Sequence, residues 1–264
     1  MKYTIKGGEI LTEAKLLNDD SFNKFINKFL IGKVKYAPVF SVYNVFELRP
    51  YEDIYIKFIN VFSTIPCMML FPYKLILEQE FSSYEQKRDF VMNGNVINAF
   101  SSLGIGDSYN LKKFLDRLWE DERTRKTILY EIDGLKSVAE YWNDSKLKFK
   151  EGFFNINLRK YYFENEKEAL IMDLKNHGIK ISHDIDIKKL PGLRVMEFSH
   201  FMRVYNRKKP ISANDVMDVK MSCFIPYVDA VITENYQAEL YKNMKSFIRP
   251  IENLEIYRLN FLKE

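Results

Sequence analysis

NDVMDVKMSCFIPYVDAVITENY, residues 214–236, decides how the chain is read. It holds Asp215, Asp218, Asp229 and Glu234 around two apolar runs, Phe224-Ile225 and Ala230-Val231-Ile232. Ser212 or Asn214 is a helix cap, so the spacing predicts a helix over 212–224. Asp215 and Asp218 stand three apart and share one of its faces. Both lie in the first turn, where the helix dipole already favours a carboxylate, so an acid at 215 needs no chemistry to explain it. Residues 228–233 read as a buried strand, and 235–247 as the next helix. Glu234 therefore stands just past the carboxyl end of a strand, where open parallel sheets bind their ligands. Asp229 is at the opposite end of that strand, where a capping or orienting role competes with a chemical one.

Working outward, residues 255–261 (EIYRLNF) read as a final strand. Toward the N-terminus, residues 2–5 (KYTI) form a candidate strand ended by Gly7-Gly8. A helix with its apolar face on Phe22, Phe25, Ile26, Phe29 and Leu30 follows, and Gly32 stops it. A strand over 33–39, a short helix from Ser41 that carries Glu47, a helix over 51–65 and a strand over 67–71 complete this part. The middle, about 74–206, is helical by pattern. It includes one continuous amphipathic run over 111–132, a helix over 155–176, and another over 191–207 opened by Pro191. Strands that alternate with helices at both ends predict an α/β fold with a central parallel sheet covered on both faces. The organisation is a single domain over 1–264 with a helical insertion at 86–190.

The chain has 264 residues, enough for a sizeable core. Its 40 basic and 36 acidic residues give a net charge of +4, which permits a polyanion partner without requiring one. The two cysteines, Cys67 and Cys223, sit in apolar surroundings and read as small core residues of a reducing compartment. His177, His183 and His200 have no Cys or His at ligand spacing, which argues against zinc. No stretch is long enough to span a bilayer, and the N-terminus lacks an apolar signal core. The expectation is a cytoplasmic protein with no membrane association. No phosphate loop and no nucleophile motif is present.

If the short helix bearing Glu47 leaves the same sheet edge as Glu234, several carboxylates converge there. Oxygen ligands of that kind suit Mg²⁺ or Mn²⁺, ions that activate water and stabilise phosphodiester cleavage.

The segment NDVMDV…IPYVDAVITE resembles the C-terminal motif of PIN-like nuclease domains, in the long branch with a helical insertion. GKVKYAPVFSVYNVFEL, residues 32–48, is similar to that family's second strand and Glu-bearing helix. The resemblance covers roughly 2–85 and 190–264. It implies a PIN-like α/β fold and a metal-dependent nuclease site acting on RNA. By matching positions, Glu47, Asp215 and Glu234 would be the carboxylates holding Mg²⁺ or Mn²⁺, with Asp218 and Asp229 as family acids close by. One position departs from the pattern: Lys6 stands where the family's first strand ends in Asp. A lysine there removes a ligand and adds a cation, which opposes a divalent metal. Two readings follow. One is an active endoribonuclease, with Arg203, Arg207, Lys208 and Lys209 ahead of the site helix either on the RNA backbone or in a solvated loop. The other is a degenerate module that binds RNA, or a protein partner or inhibitor, without cleaving. A third reading gives the function to the helical middle, whose aromatics (Trp119, Tyr130, Tyr141, Trp142, Tyr161 and Tyr162) form either core or a homo-oligomer surface.

Overall fold

A computed structural model describes residues 27, 36, 38–62, 67–92, 94–97, 111–152, 157–176, 178, 185–206 and 208–258. The expected strand over 2–5, the helix after it, Lys6, Arg207, His177 and His183 lie outside these residues, as do 33–35 and 259–261.

Strand β1 (Val39–Ser41) runs straight into helix α1 (Val42–Leu48), with the Ser41 hydroxyl accepting from the Tyr43 backbone N–H at 3.1 Å. A hydroxyl that satisfies an orphan donor of a first turn explains why the strand stops there. Helix α2 (Glu52–Phe62) opens on Glu52 and Asp53, which suit its positive end. It presents Phe58 and Phe62 to Phe40, with ring centroids 5.1 and 4.8 Å away. Strand β2 (Cys67–Leu70) pairs parallel to β1, Val39 facing Met68 and Ser41 facing Leu70. Helix α3 (Tyr73–Glu85) follows, and then β3 (Gly94–Ile97) pairs antiparallel to β2.

The middle is helical as expected, with two corrections. Strand β3 falls inside both the stretch read as helical and the proposed insertion, and it makes the first sheet mixed, not purely parallel. The run over 111–132 is two helices, α4 (Leu111–Glu120) and α5 (Glu122–Gly152). The break falls at Asp121, whose Oδ2 accepts from the Thr124 N–H at 2.9 Å and so caps α5. Helix α6 (Leu158–Asn176) leads to α7 (Pro191–Tyr205).

Helix α7 organises the C-terminal half. Gly192 to Ser199 is one unbroken buried run, so the helix has no solvent face there. It packs against α5, α6, α8 (Ala213–Met221) and the 3₁₀ turn Ser222–Tyr227. A charged side chain on such a helix needs a partner from a neighbour. Arg194 donates from Nε and Nη2 to both Glu166 oxygens on α6, at 2.8 and 3.2 Å.

The helix expected over 212–224 ends at Met221 and tightens into the 3₁₀ turn, because Pro226 has no N–H and its ring opposes an α-helical preceding turn. The strand is correspondingly shorter, β4 (Ala230–Thr233). It continues through α9 (Asn235–Met244) into β5 (Glu255–Arg258), which pairs parallel to β4 with Ala230 facing Glu255 and Thr233 facing Arg258. The fold is α/β and dominated by helices. Among the described residues the strands form two sheets, of three and two strands. No helix among them is long and apolar enough to cross a membrane.

The aromatics of the middle divide. Tyr162 is buried, and Trp119 stacks under Arg49 and Arg125 at 4.7 and 5.8 Å. Trp142 lies against His200 with centroids 4.3 Å apart, while Tyr130 and Tyr141 on α5 are exposed.

Candidate functional site

Asp215 and Asp218 of the opening stretch, both on α8, meet Arg203 of α7 and Gln237 in the first turn of α9, the helix that follows β4. Helix α8 starts with a reciprocal cap. The Asp215 N–H donates to Ser212 Oγ at 3.3 Å, and the Ser212 N–H donates to Asp215 Oδ2 at 2.8 Å. The Ser212 hydroxyl donates to the same Oδ2 at 2.8 Å. This is the capping box that S-x-x-D permits, with Asp in the usual place of Glu. Asp218, one turn on, shares the face with Asp215 as the spacing predicts.

That face is turned inward, against α7. Arg203 Nη1 donates to Asp215 Oδ1 at 2.5 Å, and Nη2 donates to Asp218 Oδ2 at 3.1 Å. Nη2 also donates to Gln237 Oε1 on α9 at 2.6 Å. The guanidinium lies 5.0 Å from the Tyr236 ring centroid, and the Tyr236 hydroxyl donates to the Met202 carbonyl at 3.1 Å. Arg203 and Asp218 are each 1 % exposed, and Asp215 and Gln237 2 %. A carboxylate pair this deep requires a counter-charge, and arginine's planar fork reaches both acids at once. Burial and the nearby Asp218 carboxylate raise the Tyr241 hydroxyl beside them well above the ordinary tyrosine range.

The other expected site residues are placed as follows. Glu234 is half-buried at the N-cap of α9, where its carbonyl accepts from the Ala238 N–H at 2.8 Å. One turn later on α9 comes Gln237, so Arg203 ties the start of that helix to the α8 acids. Asp229 is exposed, and its carbonyl accepts from the Glu255 N–H at 2.9 Å, a backbone role at the first rung of the β4–β5 ladder. Glu47 stands in the last turn of α1, after β1 and not β4. Lys208 and Lys209 are exposed in the loop before Pro210, as a solvated loop would have them. Arg203 departs from that expectation: the sequence groups it with these lysines, in a solvated loop or on an RNA backbone, and it is instead a buried ion-pair partner.

The residues do not fit the Mg²⁺ or Mn²⁺ that the resemblance implies. Both oxygens of Asp215 are engaged, Oδ2 by Ser212 and Oδ1 by Arg203. A cation already lies between Asp215 and Asp218, and a second one there would meet it as a like charge. Among the described residues, no group of three His, Cys, Asp or Glu is arranged to hold a metal.

A further buried acid, Glu80, had no sequence signal. Glu80 of α3 is 1 % exposed and reaches the first turn of α7. Its Oε1 accepts from the Gly192 N–H at 2.7 Å and its Oε2 from the Leu193 N–H at 3.1 Å, and the Tyr227 hydroxyl also donates to Oε1. Burial pushes its carboxyl up to about 7 against the pull of these three donors. Gly192 is required there, since a Cβ would stand 2.8 Å from the Cys223 carbonyl oxygen. The Pro-Tyr of the opening stretch thus serves packing: Tyr227 closes the clamp on α7.

No family model, no curated protein and no solved structure matches this chain.

Proposed function

We propose that the chain is a PIN-like module that binds RNA without hydrolysing it. The observation that carries this reading is the Arg203 guanidinium between Asp215 and Asp218. It leaves the family-matched acids serving the fold, while Lys6 at the expected first-strand Asp points the same way from the sequence. Binding would then rest on cations ahead of α8, such as Lys208 and Lys209, which are exposed in the loop before Pro210. The test is a titration of single-stranded RNA oligonucleotides against salt, with and without Mn²⁺. Affinity that falls steeply with salt, weakens in the double Lys208→Glu, Lys209→Glu variant, and leaves the RNA intact supports the reading. Affinity indifferent to salt and to both substitutions overturns it.

The runner-up is a metal-dependent endoribonuclease using Glu47, Asp215 and Glu234. One observation favours it: the α8 acids and the first turn of α9 do gather at the carboxyl end of β4. Mn²⁺-dependent cleavage that disappears in Asp215→Asn would install it in place of the binding module.

A further inference from the structure

Three oxygens from two helices converge on one guanidinium: Asp215 Oδ1, Asp218 Oδ2 and Gln237 Oε1, at 2.5, 3.1 and 2.6 Å from its nitrogens. Two are carboxylate oxygens and the third is an amide carbonyl. That is the donor set of a hard divalent cation, with no nitrogen or sulfur in it. Asp215 is further oriented from behind, because Ser212 holds its other oxygen through both N–H and hydroxyl. Metal-ligating carboxylates are commonly fixed in that way by a hydrogen bond from outside the ligand set. A fully buried hydroxyl, Tyr241 OH, lies beside Gln237, Asp218 and Arg203.

We propose that Arg203 is a built-in substitute for a divalent cation. Asp215, Asp218 and Gln237 form an oxygen cage that the guanidinium fills, and removing the guanidinium converts the cage into a Mg²⁺ or Mn²⁺ site. The inference rests on the reading of these acids as occupied, and it concerns the cage alone, independent of RNA.

The electrostatic reason is direct. Without Arg203, two buried carboxylates on one helix face lose the guanidinium that bridges them, which is unfavourable. A small divalent ion relieves that at once and brings waters to complete its coordination. Lysine at the same position keeps a positive charge near the acids, although it loses the fork that spans them. It therefore separates charge from shape.

The experiment compares wild type, Arg203→Lys, Arg203→Ala, and Arg203→Ala combined with Asp218→Asn. Each is titrated with Mn²⁺ by calorimetry and melted with and without millimolar Mn²⁺. Wild type and Arg203→Lys are expected to take up no Mn²⁺ at this cluster. Arg203→Ala is expected to bind one equivalent and to melt higher with the metal. Adding Asp218→Asn should weaken that binding about tenfold or more. If Arg203→Ala does not fold alone, it is refolded with Mn²⁺, and recovery of the native circular dichroism spectrum counts as the expected result. The proposal is overturned if Arg203→Ala gains no binding and no stabilisation, or is not recovered by the metal. It is also overturned if the wild type binds Mn²⁺ and Asp215→Asn abolishes it. RNA affinity, measured on the wild type without metal, fails or holds separately.

Discussion

Replacing Glu80 with Gln should change how stability depends on pH, in a direction the clamp on α7 dictates. The carboxyl lies near its usual value of 4.5 in the unfolded chain and at about 7 in the folded one. Between those values the folded state binds the extra proton. The contribution is therefore fully present below about pH 4.5 and is lost as pH rises through 7. A difference of roughly two and a half pH units corresponds to about 3 kcal/mol at about 1.4 kcal/mol per unit. For a chain of this size that is on the order of 10 °C in melting temperature. Gln at this position cannot ionise. It keeps one acceptor for Gly192 N–H and Tyr227 but turns an NH₂ toward the Leu193 N–H, which costs about 1–3 kcal/mol at any pH. The variant should accordingly be the weaker protein near pH 5, and by pH 8 the gap should close or reverse. The assay is urea unfolding of both proteins at several values between pH 5 and pH 8. Taking the difference between them cancels the groups they share. A difference that stays constant across this range would refute the reasoning, because it would mean that Glu80 is ionised throughout, or is not buried.

Other sites test the same packing. Arg194→Met should destabilise by about 3–5 kcal/mol, because it strands the buried Glu166 carboxylate. Adding Glu166→Leu should restore much of that loss, and a double-mutant cycle from urea melts measures the coupling. Gly192→Ala should cost about 1–3 kcal/mol or more, since its Cβ would press on the Cys223 carbonyl oxygen and the Glu80 carboxylate; thermal melting reads it. Ser212→Ala should cost about 1–2 kcal/mol through the lost cap, and amide exchange should rise first in the opening turn of α8.

Much of the C-terminal half was legible in the sequence because its signals are local. Asp-x-x-Asp after Ser212 predicted acids on one face of a capped helix, and residues 228–233 predicted a strand with Glu234 past its end, which the fold realises over Ala230–Thr233. Both hold, because caps and periodicities act within a few residues. Strand β3 was not legible: Gly94 and Asn95 are poor strand formers, and the pairing comes from β2, over twenty residues earlier in the chain. The break at Asp121 carried a signal, an acid three residues before Thr124, which the uninterrupted apolar period of the run concealed.

Arg203 was the costlier miss, and the reason is geometric. A cation twelve residues before Asp215 and near a Lys-rich loop reads as surface charge when its helix is assumed to have a wet side. The segment from Gly192 to Ser199 lacks one, since apolar residues alternate with Arg194, Glu197 and Ser199 and leave no polar stripe. A helix whose charged residues are scattered around its circumference must be solvated all round or paired all round. Here the buried apolar neighbours exclude the first option. Each buried arginine on α7 therefore implied an acid on a neighbouring element, and Glu166, Asp215 and Asp218 supply them, while Glu197 faces His200 one turn on along α7 itself. By that logic the acids of the opening stretch first answer a requirement of the core, and any chemistry at the end of β4 must work around a guanidinium that the fold itself holds in place.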